Sequence, residues 1–259
     1  MSKASQVLVL KESGVMKVIL NRPEKKNAFN GFIFRILSEY LKIADNDESI
    51  KIFYLTGIGN YFTGGIDFNW FNEDTSEDIV KDIKNLIDDV INFRKISVIG
   101  VQGICYGIGF TIMGLFDFAF CSENAKFIAP FSNLQISPEG CSTYTFPKIF
   151  GKSMANHLLI NSGSVKPEEL LRAGLVLKIF NQSEFESEVN QYISNLLKHP
   201  IDLMIKYKEM ITRNFKEDLL KTNKIESKKL YESFFNEGFI KQKEKFLKPK
   251  IKSNAKPKF

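Results

Sequence analysis

The chain has 259 residues, 44% of them hydrophobic, with 36 Lys and Arg against 30 Asp and Glu for a formal net charge of +6. This is an ordinary globular composition, long enough to bury a substantial core without a metal or disulfide. Three cysteines outside any C-x-x-C spacing (Cys105, Cys121, Cys141) and only two histidines (His157, His199) argue against a disulfide framework and a local metal site, so acid–base work falls to carboxylates.

Met1 to Gln6 reads as a short polar lead rather than a signal or transit peptide, and no apolar run reaches the roughly 18 residues of a membrane span. Val7 to Leu10 and Val15 to Leu20 read as strands joined at Ser13-Gly14. Asn30 is placed to cap a helix with the apolar stripe Ile33, Ile36, Leu37, Tyr40 and Leu41. Ile52 to Leu55 is a short, wholly apolar run of the kind that forms a fully buried strand, and a glycine-rich loop from Gly57 to Asp67 follows it. Ile79, Ile83, Leu86, Ile87, Val90 and Ile91 mark the next helix. Ser97 to Val101 is another apolar strand and runs into a second glycine-rich segment, Gly103 to Gly109. A helix and strands near Phe118 to Cys121 and Phe127-Ile128 complete the alternating part, which predicts a parallel α/β sheet with its ligands at the strand ends.

From Pro138 the pattern is mostly helical: Pro138 to Asn161, Pro167 to Ala173, Ser183 to Lys198, Ile201 to Asn214 and Leu219 to Lys248, with one strand from Val176 to Phe180. We divide the chain into a catalytic core over residues 1–195 and a helical region with a basic tail over 196–259. The tail's lysines fit a solvated helix face or a contact to a phosphate-bearing ligand. An RNA-binding role would need basic and aromatic residues interleaved, and they are not, so no nucleic-acid partner is expected.

Four segments could carry chemistry. Asn21-Arg22-Pro23-Glu24-Lys25-Lys26-Asn27-Ala28 fits either a solvated strand-to-helix loop or an anion contact beside a helix start. Phe62-Thr63-Gly64-Gly65-Ile66-Asp67 has paired glycines that let backbone N–H groups approach a ligand. Gly103-Ile104-Cys105-Tyr106-Gly107-Ile108-Gly109 suggests a tight turn into a helix start. Together two such loops could aim two N–H groups at one oxygen, an oxyanion hole in which each donor is worth about 3 kcal/mol in the transition state. Ser137-Pro138-Glu139-Gly140 reads locally as a capped helix start with Glu139 in its first turn, a structural role that suffices by itself.

In this order and at these separations, the four segments resemble the crotonase (enoyl-CoA hydratase/isomerase) superfamily from about Val7 to Phe180. The resemblance implies a crotonase-like α/β spiral of ββα units with a helical C-terminal trimerisation region, forming trimers or hexamers. It places Lys25, Lys26, Ala28, Gly64, Gly65, Asp67 and Phe131 as contacts to an acyl-CoA thioester, and the N–H groups of Ile66 and Ile108 as the oxyanion hole. The two glutamates of the family's hydratases fall on Thr111 and Phe131, which cannot add water across a double bond by acid–base catalysis. The stretch through Ser137-Pro138-Glu139-Gly140 to Phe146-Pro147-Lys148-Ile149 is similar to the peroxisomal type of delta-3, delta-2-enoyl-CoA isomerase, which implies that Glu139 is the single base. No metal or separate cofactor is then required, coenzyme A being part of the substrate. The rival is a non-catalytic acyl-CoA-binding or protein-interaction module of the same fold; a dienoyl-CoA isomerase would want a second carboxylate. The isomerase resemblance implies a peroxisomal location; the terminal Pro257-Lys258-Phe259 keeps only the basic middle position of the S-K-L address, and the cytoplasm is the fallback.

Overall fold

The computed structural model describes residues 6–247. The expectations for Pro257-Lys258-Phe259 and for the last lysines lie outside the described residues. In chain order the strands are β1 (Val7–Glu12), β2 (Val15–Leu20), β3 (Ile52–Gly57), β4 (Tyr61–Thr63), β5 (Ile96–Val101), β6 (Ile104–Tyr106), β7 (Phe118–Ser122), β8 (Lys126–Ile128), β9 (Ser164–Val165) and β10 (Lys178–Phe180). The helices are α1 (Gly31–Asn46), α2 (Ser76–Asn92), α3 (Ile108–Thr111), α4 (Phe131–Leu134), α5 (Ser142–Leu159), α6 (Pro167–Ala173), α7 (Phe185–Leu196), α8 (Ile201–Thr212), α9 (Lys216–Ser233) and α10 (Glu237–Leu247).

Two sheets result, one of order β1-β2-β3-β5-β7-β10 and one of order β4-β6-β8-β9. The first is parallel apart from the β1–β2 hairpin, and the second is parallel apart from β9. Successive strand pairs alternate between them: β3, β5 and β7 enter the large sheet, while β4, β6 and β8 enter the small one, and a helix follows each pair. This is the spiral of ββα units expected from the sequence. Both glycine-rich segments turned out to contain a short strand, β4 and β6, because a three-residue strand is too brief to show a period of two.

Every residue of β3 and β5 is buried, as their unbroken apolar runs imply. One face of these strands carries Phe53, Leu55, Ile99 and Val101 into the main core with α1 and α2. The other carries Ile52, Tyr54, Ile96 and Val98 against Phe185, Val189 and Ile193 of α7. Asn30 caps α1 as expected, its Oδ1 accepting the Ile33 N–H at 3.0 Å. The long C-terminal helix expected over Leu219 to Lys248 is broken after Ser233 into α9 and α10, and both contribute to the main core through Leu219, Leu230 and Phe239. The C-terminal helices therefore share the core of the spiral.

The bend between β5 and β6 is tightly constrained. Gly103 has φ +67°, and a Cβ there would lie 2.2 Å from the Asn60 carbonyl oxygen. Gly103→Ala combines left-handed strain with a backbone clash and should cost about 2 kcal/mol or more. At about 2–4 °C per kcal/mol for a chain of this size, thermal denaturation followed by circular dichroism should show a Tm lowered by about 4 °C or more.

Candidate active site

The first glycine loop is held by the segment before α1. Asn27, itself at φ +52°, donates from Nδ2 to the carbonyls of Ile58 (2.9 Å) and Tyr61 (2.7 Å). Thr63 Oγ1 donates to the Asn27 carbonyl at 2.8 Å, and the Gly64 N–H donates to the Lys26 carbonyl at 2.7 Å. Arg22 and Asp67 form a buried ion pair at 3.1 Å, each side chain 9% exposed. Arg22 Nη1 also reaches the Ala28 carbonyl, and Asp67 Oδ1 accepts the N–H of Asn69, capping a short 3-10 turn over Phe68–Asn72. Asp67 is thus engaged inside the protein, fixing the loop. Lys25 and Lys26 are exposed, and Ala28 is half-buried beside them.

This scaffold orients Ile66. Phe29 donates to the Gly65 carbonyl and accepts from the Asp67 N–H, both at 2.8 Å, in a parallel bridge between Phe29 and Ile66. A parallel bridge uses the groups on either side of Ile66 and leaves the Ile66 N–H directed away. The second loop does the same by another route. Gly107, at φ 50° and ψ −120°, ends β6 and places Ile108 as the first residue of α3, where an N–H has no intrahelical acceptor. Among the described residues, neither the Ile66 nor the Ile108 N–H has a hydrogen-bond acceptor. A Cβ on Gly107 would meet nothing within 4 Å, so this face of the turn opens into a cavity.

That cavity, about 50 Å³, is lined by Gly64, Gly65, Ile66, Gly107, Ile108, Phe131 and Glu139, and closed by Phe68, Phe71, Phe234 and Phe239. The structure therefore gathers Gly64, Gly65, Ile66, Ile108, Phe131 and Glu139 around one space, and leaves Lys25, Lys26, Ala28 and Asp67 off its wall. The aromatic residues from the 3-10 turn, the α9–α10 bend and α10 went unremarked in the sequence, where nothing sets them apart from other apolar residues.

Glu139 is 2% exposed, and its environment differs from the one expected. It is not in the first turn of a helix. α5 begins at Ser142, with Cys141 at φ 58° as the residue before it, so Ser137 and Pro138 neither cap nor open a helix. The carboxylate gains nothing from an α5 first turn and is buried. Thr111 Oγ1 lies 3.2 Å from both carboxylate oxygens, so its one proton is shared between them, with the Gly107 and Ile108 carbonyls as longer alternatives at 3.4 and 3.3 Å. Burial pushes the carboxyl well above the ordinary carboxylate range, the nearby Glu226 charge pushes it further, and the Thr111 hydroxyl opposes both. Gly140 makes room for this contact, since a Cβ there would lie 2.4 Å from Thr111 Oγ1.

A ββα spiral whose strand pairs alternate between two sheets defines a crotonase-type fold. A family model described as enoyl-CoA hydratase/isomerase matches residues 10–253. The chain is 35% identical over 257 residues to enoyl-CoA delta isomerase 3, peroxisomal, of Mus musculus, covering 97% of this chain and 81% of that one. It is 34% identical over 253 residues to enoyl-CoA delta isomerase 2 of Rattus norvegicus, covering 95% of this chain and spanning only 64% of the rat protein. The crystal structure of an enoyl-CoA hydratase/isomerase from Pseudoalteromonas atlantica T6c superposes with a TM-score of 0.86 at 26% identity, over 93% of this chain and 96% of that one. This chain belongs to the enoyl-CoA hydratase/isomerase family.

A carboxyl titrating above its unfolded value stabilises the fold while protonated, and that contribution is lost as pH rises toward the folded pKa. Glu139→Gln should match the wild type in thermal stability near about pH 4 and exceed it by a few degrees near about pH 8. Melting curves across that range check the sign.

Proposed function

We propose that this protein is a delta-3, delta-2-enoyl-CoA isomerase acting in unsaturated fatty-acid beta-oxidation. The reading rests on one observation: a buried carboxylate, Glu139, shares a small apolar cavity with two unbonded N–H groups, those of Ile66 and Ile108. A 3-enoyl thioester placed with its carbonyl oxygen on those N–H groups has an acidified C2–H. Glu139 takes that proton, the N–H pair stabilises the dienolate oxygen, and the protonated Glu139 returns the proton at C4. The double bond moves into conjugation with the thioester without redox change or added water. A raised proton affinity suits this cycle, because the same carboxyl must serve as base and then as acid.

The names of the mouse and rat relatives support the isomerase reading over hydration, and so do Thr111 and Phe131. Thr111 binds Glu139 and Phe131 lines the cavity, so neither supplies a second titrating group. The reading calls for no cofactor, coenzyme A entering as part of the substrate with Lys25, Lys26 and Ala28 at its nucleotide end. The peroxisomal location in the mouse relative's name extends to this chain as part of the same proposal. A non-catalytic acyl-CoA-binding module would have no use for a carboxylate buried beside the oxyanion site.

Self-association belongs to the proposal too. α8 exposes Leu203, Tyr207, Met210 and Ile211, a stripe at i, i+4, i+7 and i+8 that fits a second copy of the chain as expected for a trimerising region. Light scattering on the purified protein should give a mass of three or six chains, and Tyr207→Glu with Ile211→Glu should reduce it.

The deciding assay follows formation of conjugated 2-enoyl thioester absorbance from 3-enoyl-CoA. Glu139→Gln should lower kcat by about 10²–10⁴ while CoA-ester binding is retained. The wild-type rate should rise with pH along an acid limb above the ordinary carboxylate range, since the base must be ionised. Hydration of 2-enoyl-CoA should be near background. Turnover by Glu139→Gln at the wild-type rate would refute the assignment.

A further inference from the structure

Glu226 is another buried carboxylate, 3% exposed, on the inward face of α9. Its Oε2 accepts the Cys141 N–H at 2.7 Å, and its Oε1 accepts the Thr143 N–H at 2.9 Å and the Thr143 hydroxyl at 2.6 Å. These two amides flank the start of α5, immediately after Glu139. Burying a charge is costly unless donors replace its water, and three donors do so here.

The neighbours of Glu226 on the same helix make the pattern clearer. The Leu219 carbonyl accepts from Cys141 Sγ at 3.3 Å, and Ser233 Oγ accepts the Ser137 N–H at 3.1 Å. Leu219, Glu226 and Ser233 are seven residues apart, close to two helical turns, and so lie on one face of α9. That face runs along the segment 137–143 and holds it at three points. α9 is itself fixed to α2, where Asn223 Nδ2 donates to the Lys84 carbonyl at 3.0 Å and to Asp88 Oδ1 at 2.8 Å.

We propose that Glu226 is a positioning residue for Glu139, holding its carboxylate against Thr111 in the cleft between Ile66 and Ile108 through the amides of Cys141 and Thr143. The proposal rests on the reading of Glu139 as the base and extends it. Glu226 does not line the cavity and touches no substrate. It acts through geometry and through charge: when ionised, a negative group behind Glu139 disfavours a second one and keeps the base proton-hungry, while burial raises the Glu226 carboxyl as well and its Thr143 and Cys141 donors oppose that rise. The other charged groups on that side are Asp88 and its ion-pair partner Lys84 on α2, with the neutral Cys141 thiol between. On the cavity side Glu139 faces Ile66, Ile108, Phe131 and Phe234.

The test compares Glu226→Gln and Glu226→Asp in the full-length protein by isomerase kinetics across pH. A parallel infrared titration uses isotope-labelled carboxyls, with Glu139→Gln as the subtraction. Glu226→Gln removes the charge and offers an amide N–H to a backbone N–H. Its kcat should fall about 10–100-fold with KM changed less than about threefold, and its acid limb should move to lower pH. Glu226→Asp keeps the charge on a shorter arm; its kcat should fall with the acid limb in place. A Glu226→Gln variant with wild-type kcat and acid limb overturns the proposal. So does a loss in both variants that follows the melting temperature alone with an unmoved Glu139 titration. The infrared titration needs no turnover, so it reports on Glu226 even if the isomerase assay fails.

Discussion

A buried carboxylate with a single hydroxyl for a donor is the constraint on which the remainder of this structure turns. Glu139 is given one hydroxyl, from Thr111, where a buried ionised group would ordinarily demand several donors. Its other surroundings are apolar, and the nearest charge has the same sign. Such a group lowers the stability of the fold at neutral pH, and it persists only where packing over-determines its position. That packing comes from three directions: Gly140 against α3, the amides of Cys141 and Thr143 against α9, and the aromatic wall from the 3-10 turn and α10. Misfit at one functional point, supported by consistency elsewhere, is the usual signature of a site.

Much of the fold could be read from the residues. β3 and β5 announced themselves as unbroken apolar runs, α1 by Asn30 and its stripe, and α6 to the residue. The glycines alone said only that backbone N–H groups could approach a ligand; the choice of Ile66 and Ile108 came from the family resemblance, and both residues follow positive-φ glycines, Gly65 and Gly107. The environment of Glu139 was not legible. Ser137-Pro138-Glu139 carries every local sign of a capped helix start, yet the chain bends through the left-handed Cys141 before α5 begins. Tertiary contacts override the local signal here: Glu226, 85 residues further on, takes the amides that a local cap would have served.

Glu226 itself left a trace in the sequence. Leu219, Asn223, Glu226, Ser227 and Leu230 form the buried face of α9, at i, i+4, i+7, i+8 and i+11. Three of these five are polar, and a carboxylate on the buried face of a helix is out of place unless something inside requires it. What the sequence does not contain is the partner's address, since that depends on how α9 docks between α2 and the start of α5. The same dependence hid Phe234 and Phe239, which look like ordinary core residues until α10 folds back over Phe68 and Phe71.

The buried pair of Arg22 and Asp67 has an implication for how such a chain can change over time. Each partner is satisfied chiefly by the other and by the loop carbonyls and amides around them. Loss of either alone strands an opposite charge in the interior, at about 3–5 kcal/mol, beneath the loop that aims Ile66. An apolar pair of similar volume could fill the same space, but only if both positions were exchanged together. Drift at these two sites is therefore expected to be concerted, with single-step intermediates carrying the heaviest penalty.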